Sequence, residues 1–253
     1  MPSQFDPKKH SAPAMALPVI LLLDVSHSMS GNKIDSLNKA VEDMLKTLKR
    51  EEEKDMETEY HVSVVTFESS AKLHLTYTKA SLIQWQTLQA DGCTNLGEAL
   101  TMAKEMIEGN KRPPLTYYYN PVAVLVSDGQ PTDERGRPTD AWKKPLEDFI
   151  TRGRSAQCDR LALAIGADAD EGILNRFLAG TPYRLFKAEE AGQIPEFFKW
   201  ATRKVTEIFQ ARSRNQNPAP PEIKPDAGRA KAAPSVKSQE QTDEDDDKES
   251  RWR

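Results

Sequence analysis

Two carboxylates and two serine hydroxyls follow apolar, strand-like runs of the sequence, and a threonine hydroxyl lies in a glycine-containing loop between them. Asp24, Ser26 and Ser28 follow the run "VILLL" in the segment "DVSHS". Thr94 lies in the loop "DGCTN", and Asp128 closes a second apolar run, "VAVLVS". Oxygen donors of this kind suit a hard divalent cation such as Mg²⁺ or Mn²⁺. The chemistry that these five residues predict is metal binding.

These side chains must reach one point from distant parts of the chain. Because side chains alternate along an extended segment, Asp24, Ser26 and Ser28 are expected to point to the same side. The glycine of "DGCTN" allows the loop carrying Thr94 to approach closely. Open α/β sheets bind ligands outside the carboxyl ends of their strands, where the strand order reverses. We therefore expect Thr94 and Asp128 to join the other three there.

The apolar pattern predicts an α/β fold: three layers around a doubly wound, mostly parallel sheet with one antiparallel edge strand. Residues 19–24, 121–129 and 160–166 contain continuous apolar runs without polar alternation, as strands covered on both faces do. Residues 61–67 and 72–78 are only four residues apart, which favours a hairpin whose second strand is the edge. Helical periodicity predicts helices at residues 33–50, 96–107, 171–178 and 194–209.

The length of 253 residues fits a single domain with a tail. We predict a flexible arm at residues 1–16, the domain at residues 17–211 and a disordered tail at residues 212–253. The tail is rich in proline, alanine and charge and has no periodic apolar residues, so it cannot build a core.

Composition excludes several classes of protein. The net charge is −4 and the basic residues form no stripe, which argues against nucleic-acid binding. Two cysteines cannot build a disulfide scaffold and fit a reducing compartment. The apolar run before Asp24 resembles a secretory signal, but Pro13 and Pro18 interrupt it and it is shorter than the ~20 residues of a membrane span. We predict a cytoplasmic protein without a membrane segment.

The arrangement resembles the metal-ion-dependent adhesion site of von Willebrand factor type A domains. That family has D-x-S-x-S after its first strand, a threonine in a Gly-rich loop and an aspartate after its fourth strand. The matching segments are "DVSHS", "DGCTN" and "VSDG", and the resemblance covers Leu17 to Phe209. It implies a metal site made of Asp24, Ser26, Ser28, Thr94 and Asp128.

A narrower resemblance concerns the bacterial TerY-like branch of this family, associated with tellurite resistance and stress response. It is carried by "LPVILLLDVSHSM", "DGCTNLGEAL", "LVSDGQPTD" and "FFKW". The resemblance implies an intracellular adaptor, not an enzyme, with a kinase and a phosphatase as partners. It also implies that the three hydroxyls contact the metal directly, that the two carboxylates act through water, and that a partner's Asp or Glu completes the site.

Other interpretations remain open from the sequence. The serines could be turn formers, and Asn32 is the natural cap of the first helix. A Mg²⁺-dependent phosphatase of the haloacid-dehalogenase type also begins with a strand and an aspartate, but it needs a general acid where Ser26 stands. A scaffold that binds its partner without metal is the third alternative.

Overall fold

The computed structural model describes residues 15–55, 57–109 and 119–214. All of them belong to one compact unit, Met1–Pro220. The predicted tail beyond residue 214 and the predicted arm before residue 15 lie outside the described residues.

One six-stranded sheet forms the centre of the domain, in the order β3-β2-β1-β4-β5-β6. Every neighbouring pair is parallel except β2 and β3, which pair antiparallel at the edge. The mostly parallel sheet and the edge hairpin are thus confirmed. The strands are β1 Met15–Asp24, β2 Thr58–Phe67, β3 Ala71–Lys79, β4 Val122–Ser127, β5 Asp159–Ile165 and β6 Phe186–Ala188.

Helices cover both faces of the sheet and give the three predicted layers. The helices are α1 Asn32–Lys54, α2 Leu96–Glu108, α3 Lys143–Thr151, α4 Glu171–Phe177 and α5 Ile194–Arg214. In β1, alternate residues enter opposite cores: Leu21 packs with apolar residues of α1 and α5, whereas Leu22 packs with those of α2, α3 and α4. Both faces of the central strand are therefore buried, which explains its continuous apolar run.

Two local predictions were wrong, and one strand was not predicted. Asn32 is the first residue of α1 rather than its cap, because the chain turns at Gly31 with φ +71°. Helix α1 continues to Lys54, and its buried Glu52 accepts hydrogen bonds from the backbone N–H groups of Tyr60 and Ser81. Strand β6 was not predicted, since three residues are too few to show a period.

The order of the strands places a reversal beside β1. From β1 the chain moves outward through β2 and β3, and then returns to form β4 on the other side of β1. The connections that follow β1 and β4 lead to helices on opposite faces of the sheet, and open α/β sheets bind ligands in the crevice at such a reversal, at the carboxyl ends of the strands. Asp24 ends β1, and Asp128 directly follows β4.

Candidate functional site

Asp24 is fully buried at the end of β1. Its Oδ1 accepts a hydrogen bond from the backbone N–H of Ser26 at 2.9 Å, and its Oδ2 accepts one from the Ser127 hydroxyl at 2.6 Å. Burial raises the pKa of Asp24 to about 6, although these donors oppose the rise; the nearby Asp128 carboxylate adds to it. The site therefore contains a carboxylate that an added cation would stabilise.

The two serines of "DVSHS" link Asp24 to Asp128. Ser26 Oγ lies 3.0 Å from Ser28 Oγ, and the Ser28 hydroxyl donates to Asp128 Oδ1 at 2.7 Å. The structure thus brings four of the five predicted residues into one hydrogen-bonded network. Since residues 28 and 128 are a hundred positions apart, this network joins the loops that follow β1 and β4.

The route by which the serines meet differs from the expected one. Strand β1 ends at Asp24, the backbone of Ser26 is still extended, and residues His27–Met29 form a 3₁₀ turn. In this turn the backbone N–H of Met29 donates to the carbonyl of Ser26. Simple alternation along a strand therefore does not place Ser28; the turn carries its hydroxyl back toward Ser26.

Asp128 forms an ion pair with a residue that the sequence analysis did not predict. The carboxylate is buried, and its Oδ2 lies 2.6 Å from Nζ of Lys33, whose side chain is 31% exposed. Lys33 lies in the first turn of α1, directly after the serine-rich loop, and this position could have identified it as a neighbour of the site. Ser127 directly precedes Asp128 in "VSDG", and its hydrogen bond to Asp24 was also not predicted.

Thr94 lies on a loop that is hydrogen-bonded to the segments that follow β1 and β4. The backbone N–H of His27 donates to the carbonyl of Gly92 at 3.1 Å. The Thr94 N–H donates to the Thr132 hydroxyl at 2.9 Å, and the Thr132 N–H donates to the Thr94 carbonyl at 3.0 Å. Thr94 is buried, but among the described residues no hydrogen bond joins its hydroxyl to the other four side chains.

Gly92 is needed for this loop to fit. Its φ is +74°, a backbone conformation that residues with a side chain rarely adopt. A Cβ at this position would collide with the side chains of Glu68 and Ser69. The glycine of "DGCTN" thus allows this loop to pack closely against Glu68 and Ser69.

The donor chemistry of the site fits a small hard cation. The network supplies only oxygen atoms, from two buried carboxylates and the serine hydroxyls, with Thr94 on the adjoining loop. No group of three or more His, Cys, Asp or Glu side chains gathers anywhere in the described ranges, so a softer, histidine- or cysteine-based site is not seen there. Burial of the charged Asp24 supplies a physical reason for a cation here.

Comparison with known proteins finds a family model that matches part of this chain. The model of the von Willebrand factor type A domain matches residues 19–130. A solved von Willebrand factor type A structure from Catenulispora acidiphila has a TM-score of 0.54 at 16% identity, covering 76% of this chain and 43% of that one. The domain is therefore an α/β domain with a crevice at the switch of strand order. More narrowly, residues 19–130 are similar to the von Willebrand factor type A domain, and the fold is like that of solved domains of this type.

Two further proteins are similar to this chain. Inter alpha-trypsin inhibitor heavy chain 4 of Mus musculus is 24% identical over 203 residues, which are 74% of this chain and 20% of that protein. Proximal thread matrix protein 1 of the mussel byssus, solved with zinc in its metal-ion-dependent adhesion site, has a TM-score of 0.52 at 17% identity, covering 75% of this chain and 46% of that one. The chain thus spans a fifth of the mouse protein and under half of each solved chain.

The family defines a general role. Domains of this type are generally interaction modules that bind proteins through a metal-ion-dependent adhesion site. In the part of the chain that the structure covers, none of the helices has the length and apolar character that crossing a membrane requires.

Proposed function

We propose that this domain binds a protein partner through a divalent cation held by Asp24, Ser26, Ser28, Thr94 and Asp128. One observation carries the proposal: two buried carboxylates from different strands are joined through serine hydroxyls at the crevice between β1 and β4. Mg²⁺ or Mn²⁺ is the expected ion, because the donors are all oxygen.

The residues have different roles in this proposal. The hydroxyls of Ser26, Ser28 and Thr94 contact the ion, and the carboxylates of Asp24 and Asp128 act through water. The hydrogen bonds support this division, since each carboxylate oxygen already accepts a bond from a neighbouring group. When bound, the ion supplies an electrophilic position for a carboxylate from outside the domain. Neutral hydroxyl ligands would leave most of its charge available to that carboxylate.

The expected partner donates an Asp or Glu side chain. The resemblance of four segments to the TerY-like branch supports a cytoplasmic adaptor in a bacterial stress-response or tellurite-resistance system, with a kinase and a phosphatase as partners. The two free cysteines, Cys93 and Cys158, fit a reducing compartment. We propose no catalytic activity, because Ser26 occupies the place of the general acid that a phosphatase of the haloacid-dehalogenase type requires.

A scaffold that needs no metal is the second candidate. The specific observation in its favour is the ion pair between Lys33 and Asp128, which already provides a cation to one of the two carboxylates. The two candidates differ in whether the partner is released by a chelator.

Isothermal titration of the full chain with MgCl₂ and MnCl₂ tests the metal site. We expect one ion per chain for the wild type and no binding for Asp24→Ala. Asp43→Ala is the matched control, since it removes an exposed aspartate from α1, and it should bind like the wild type. Equal binding by wild type and Asp24→Ala would contradict the proposed site.

Affinity capture from the native host tests the partner. With the wild type as bait, we expect a captured protein in Mg²⁺ that is absent in chelator and absent with the Asp24→Ala bait. Retention of the same protein under all three conditions would favour the metal-free scaffold. Metal-dependent phosphate release from generic phosphoesters, lost in Asp24→Ala, would instead support the enzyme.

A further inference from the structure

Lys33 brings a positive charge into direct contact with a proposed metal-site residue. Its Nζ lies 2.6 Å from Oδ2 of Asp128, whose side chain is fully buried. The same ammonium lies near the end of β5, because a Cβ built on Gly166 would be 3.8 Å from it. The Lys33 side chain therefore reaches from the first turn of α1 to the carboxyl edge of the sheet.

A divalent cation bound by the proposed residues would share Asp128 with this ammonium. One oxygen of Asp128 accepts from Ser28, a proposed ligand, and the other faces Lys33. Two cations on one carboxylate repel each other, and burial strengthens the repulsion because water screens it less. Asp128 therefore cannot interact at full strength with the Lys33 ammonium and with the divalent ion at the same time.

We propose that Lys33 is a built-in cation that competes with the divalent ion for Asp128 and thereby sets the affinity of the site. This inference rests on the proposed function. It makes Lys33 a positioning residue, which acts on the ion through Asp128. Without the ion, Lys33 neutralises a buried carboxylate; with the ion, its charge opposes binding.

The two effects of removing Lys33 have opposite signs. In the absence of metal, Lys33→Met leaves the Asp128 carboxylate buried without its counter-ion, so the variant should unfold at a lower urea concentration than the wild type. In metal binding, the variant loses the repulsion and should bind more tightly. If Lys33 had only a structural role, its removal would lower the stability and also weaken metal binding.

Two further variants separate charge from shape. Lys33→Arg keeps the positive charge on a side chain of similar reach, so its affinity should stay near the wild-type value. Lys39→Met removes an exposed lysine from the same helix and controls for a change in overall charge. Within the described residues, Lys39 makes no ion pair.

The experiment is titration of the full-length variants with MnCl₂, together with urea unfolding in chelator. We expect Lys33→Met to lower the dissociation constant for Mn²⁺ about tenfold or more, which is at least about 1.4 kcal/mol. Lys33→Arg should stay within about threefold of the wild type and Lys39→Met within about twofold. In chelator, only Lys33→Met among these variants should show a clearly lower unfolding midpoint.

Equal or weaker Mn²⁺ binding by Lys33→Met would overturn the inference and leave the proposed function intact. Absence of Mn²⁺ binding by the wild type itself would overturn the proposed function and this inference with it. If Lys33→Met does not fold, Lys33→Gln makes the same comparison with a polar side chain.

Discussion

Removing the buried charge of Asp24 should stabilise the metal-free protein. Asp24→Asn keeps the size of the side chain and the acceptor for the Ser26 N–H, but it removes the charge. Burial raises the pKa of Asp24 from 3.8 to about 6, and ~1.36 kcal/mol per pKa unit makes the charged form about 3 kcal/mol unfavourable in the fold. At pH 7.5 in chelator, the free energy of unfolding of Asp24→Asn should exceed that of the wild type by up to about 3 kcal/mol.

The raised pKa of Asp24 also predicts how the effect of Asp24→Asn depends on pH. Between pH 3.8 and about 6 the folded metal-free wild type binds the Asp24 proton more tightly than the unfolded chain does. The contribution of Asp24 to the free energy of unfolding therefore falls as the pH rises through that window, and above the window the charged carboxylate destabilises the folded state by the full amount. The gain from Asp24→Asn should accordingly shrink when the pH is lowered from 7.5 to about 4.

Urea unfolding in chelator at the two pH values measures both effects. The matched control is Asp43→Asn, the same chemical change at an exposed position of α1, which should alter stability by less than about 0.5 kcal/mol. A variant Asp24→Asn that is less stable than the wild type at pH 7.5 would refute the reasoning. A gain of equal size at both pH values would refute it too, because the charge would then not be the cause.

Two other features give predictions of their own. Gly92→Ala should lower the free energy of unfolding by about 2 kcal/mol or more, because the added Cβ is strained at φ +74° and collides with two side chains. Gly129→Ala is the control, since Gly129 has open space around it, and it should be nearly neutral. Thermal unfolding measures both variants. N-ethylmaleimide at pH 7.5 should modify Cys93 and spare Cys158 in the native protein, because burial raises the pKa of the Cys158 thiol to about 12. Mass spectrometry after labelling with and without urea measures the modification of each cysteine. Labelling of Cys158 in the native protein would contradict the prediction.

Much of the fold could be predicted from the sequence because burial leaves a direct pattern. Strands β1, β4 and β5 are covered on both faces, so their apolar runs are continuous and easily seen. The hairpin of β2 and β3 was visible because only three residues separate the strands. The short β6 was not visible, since its pairing with β5 depends on the fold and not on a local pattern.

The site was predictable in its residue types but not in its geometry. Asp24 and Asp128 stand out because they end apolar runs. Their partners were harder to predict: Lys33 and Ser127 lie 95 and 103 residues along the chain from the carboxylates that they contact, so no sequence spacing pairs them. The turn after Asp24 was also missed, because a strand's alternation says nothing about where the strand stops.

The central claim is that five side chains from three loops share one divalent ion. Anomalous diffraction from crystals grown with MnCl₂ tests it most directly. The account predicts one manganese peak in the crevice between β1 and β4, within bonding distance of the hydroxyls of Ser26, Ser28 and Thr94. A crevice without a manganese peak at millimolar MnCl₂, or a peak bound only elsewhere on the domain, would contradict it.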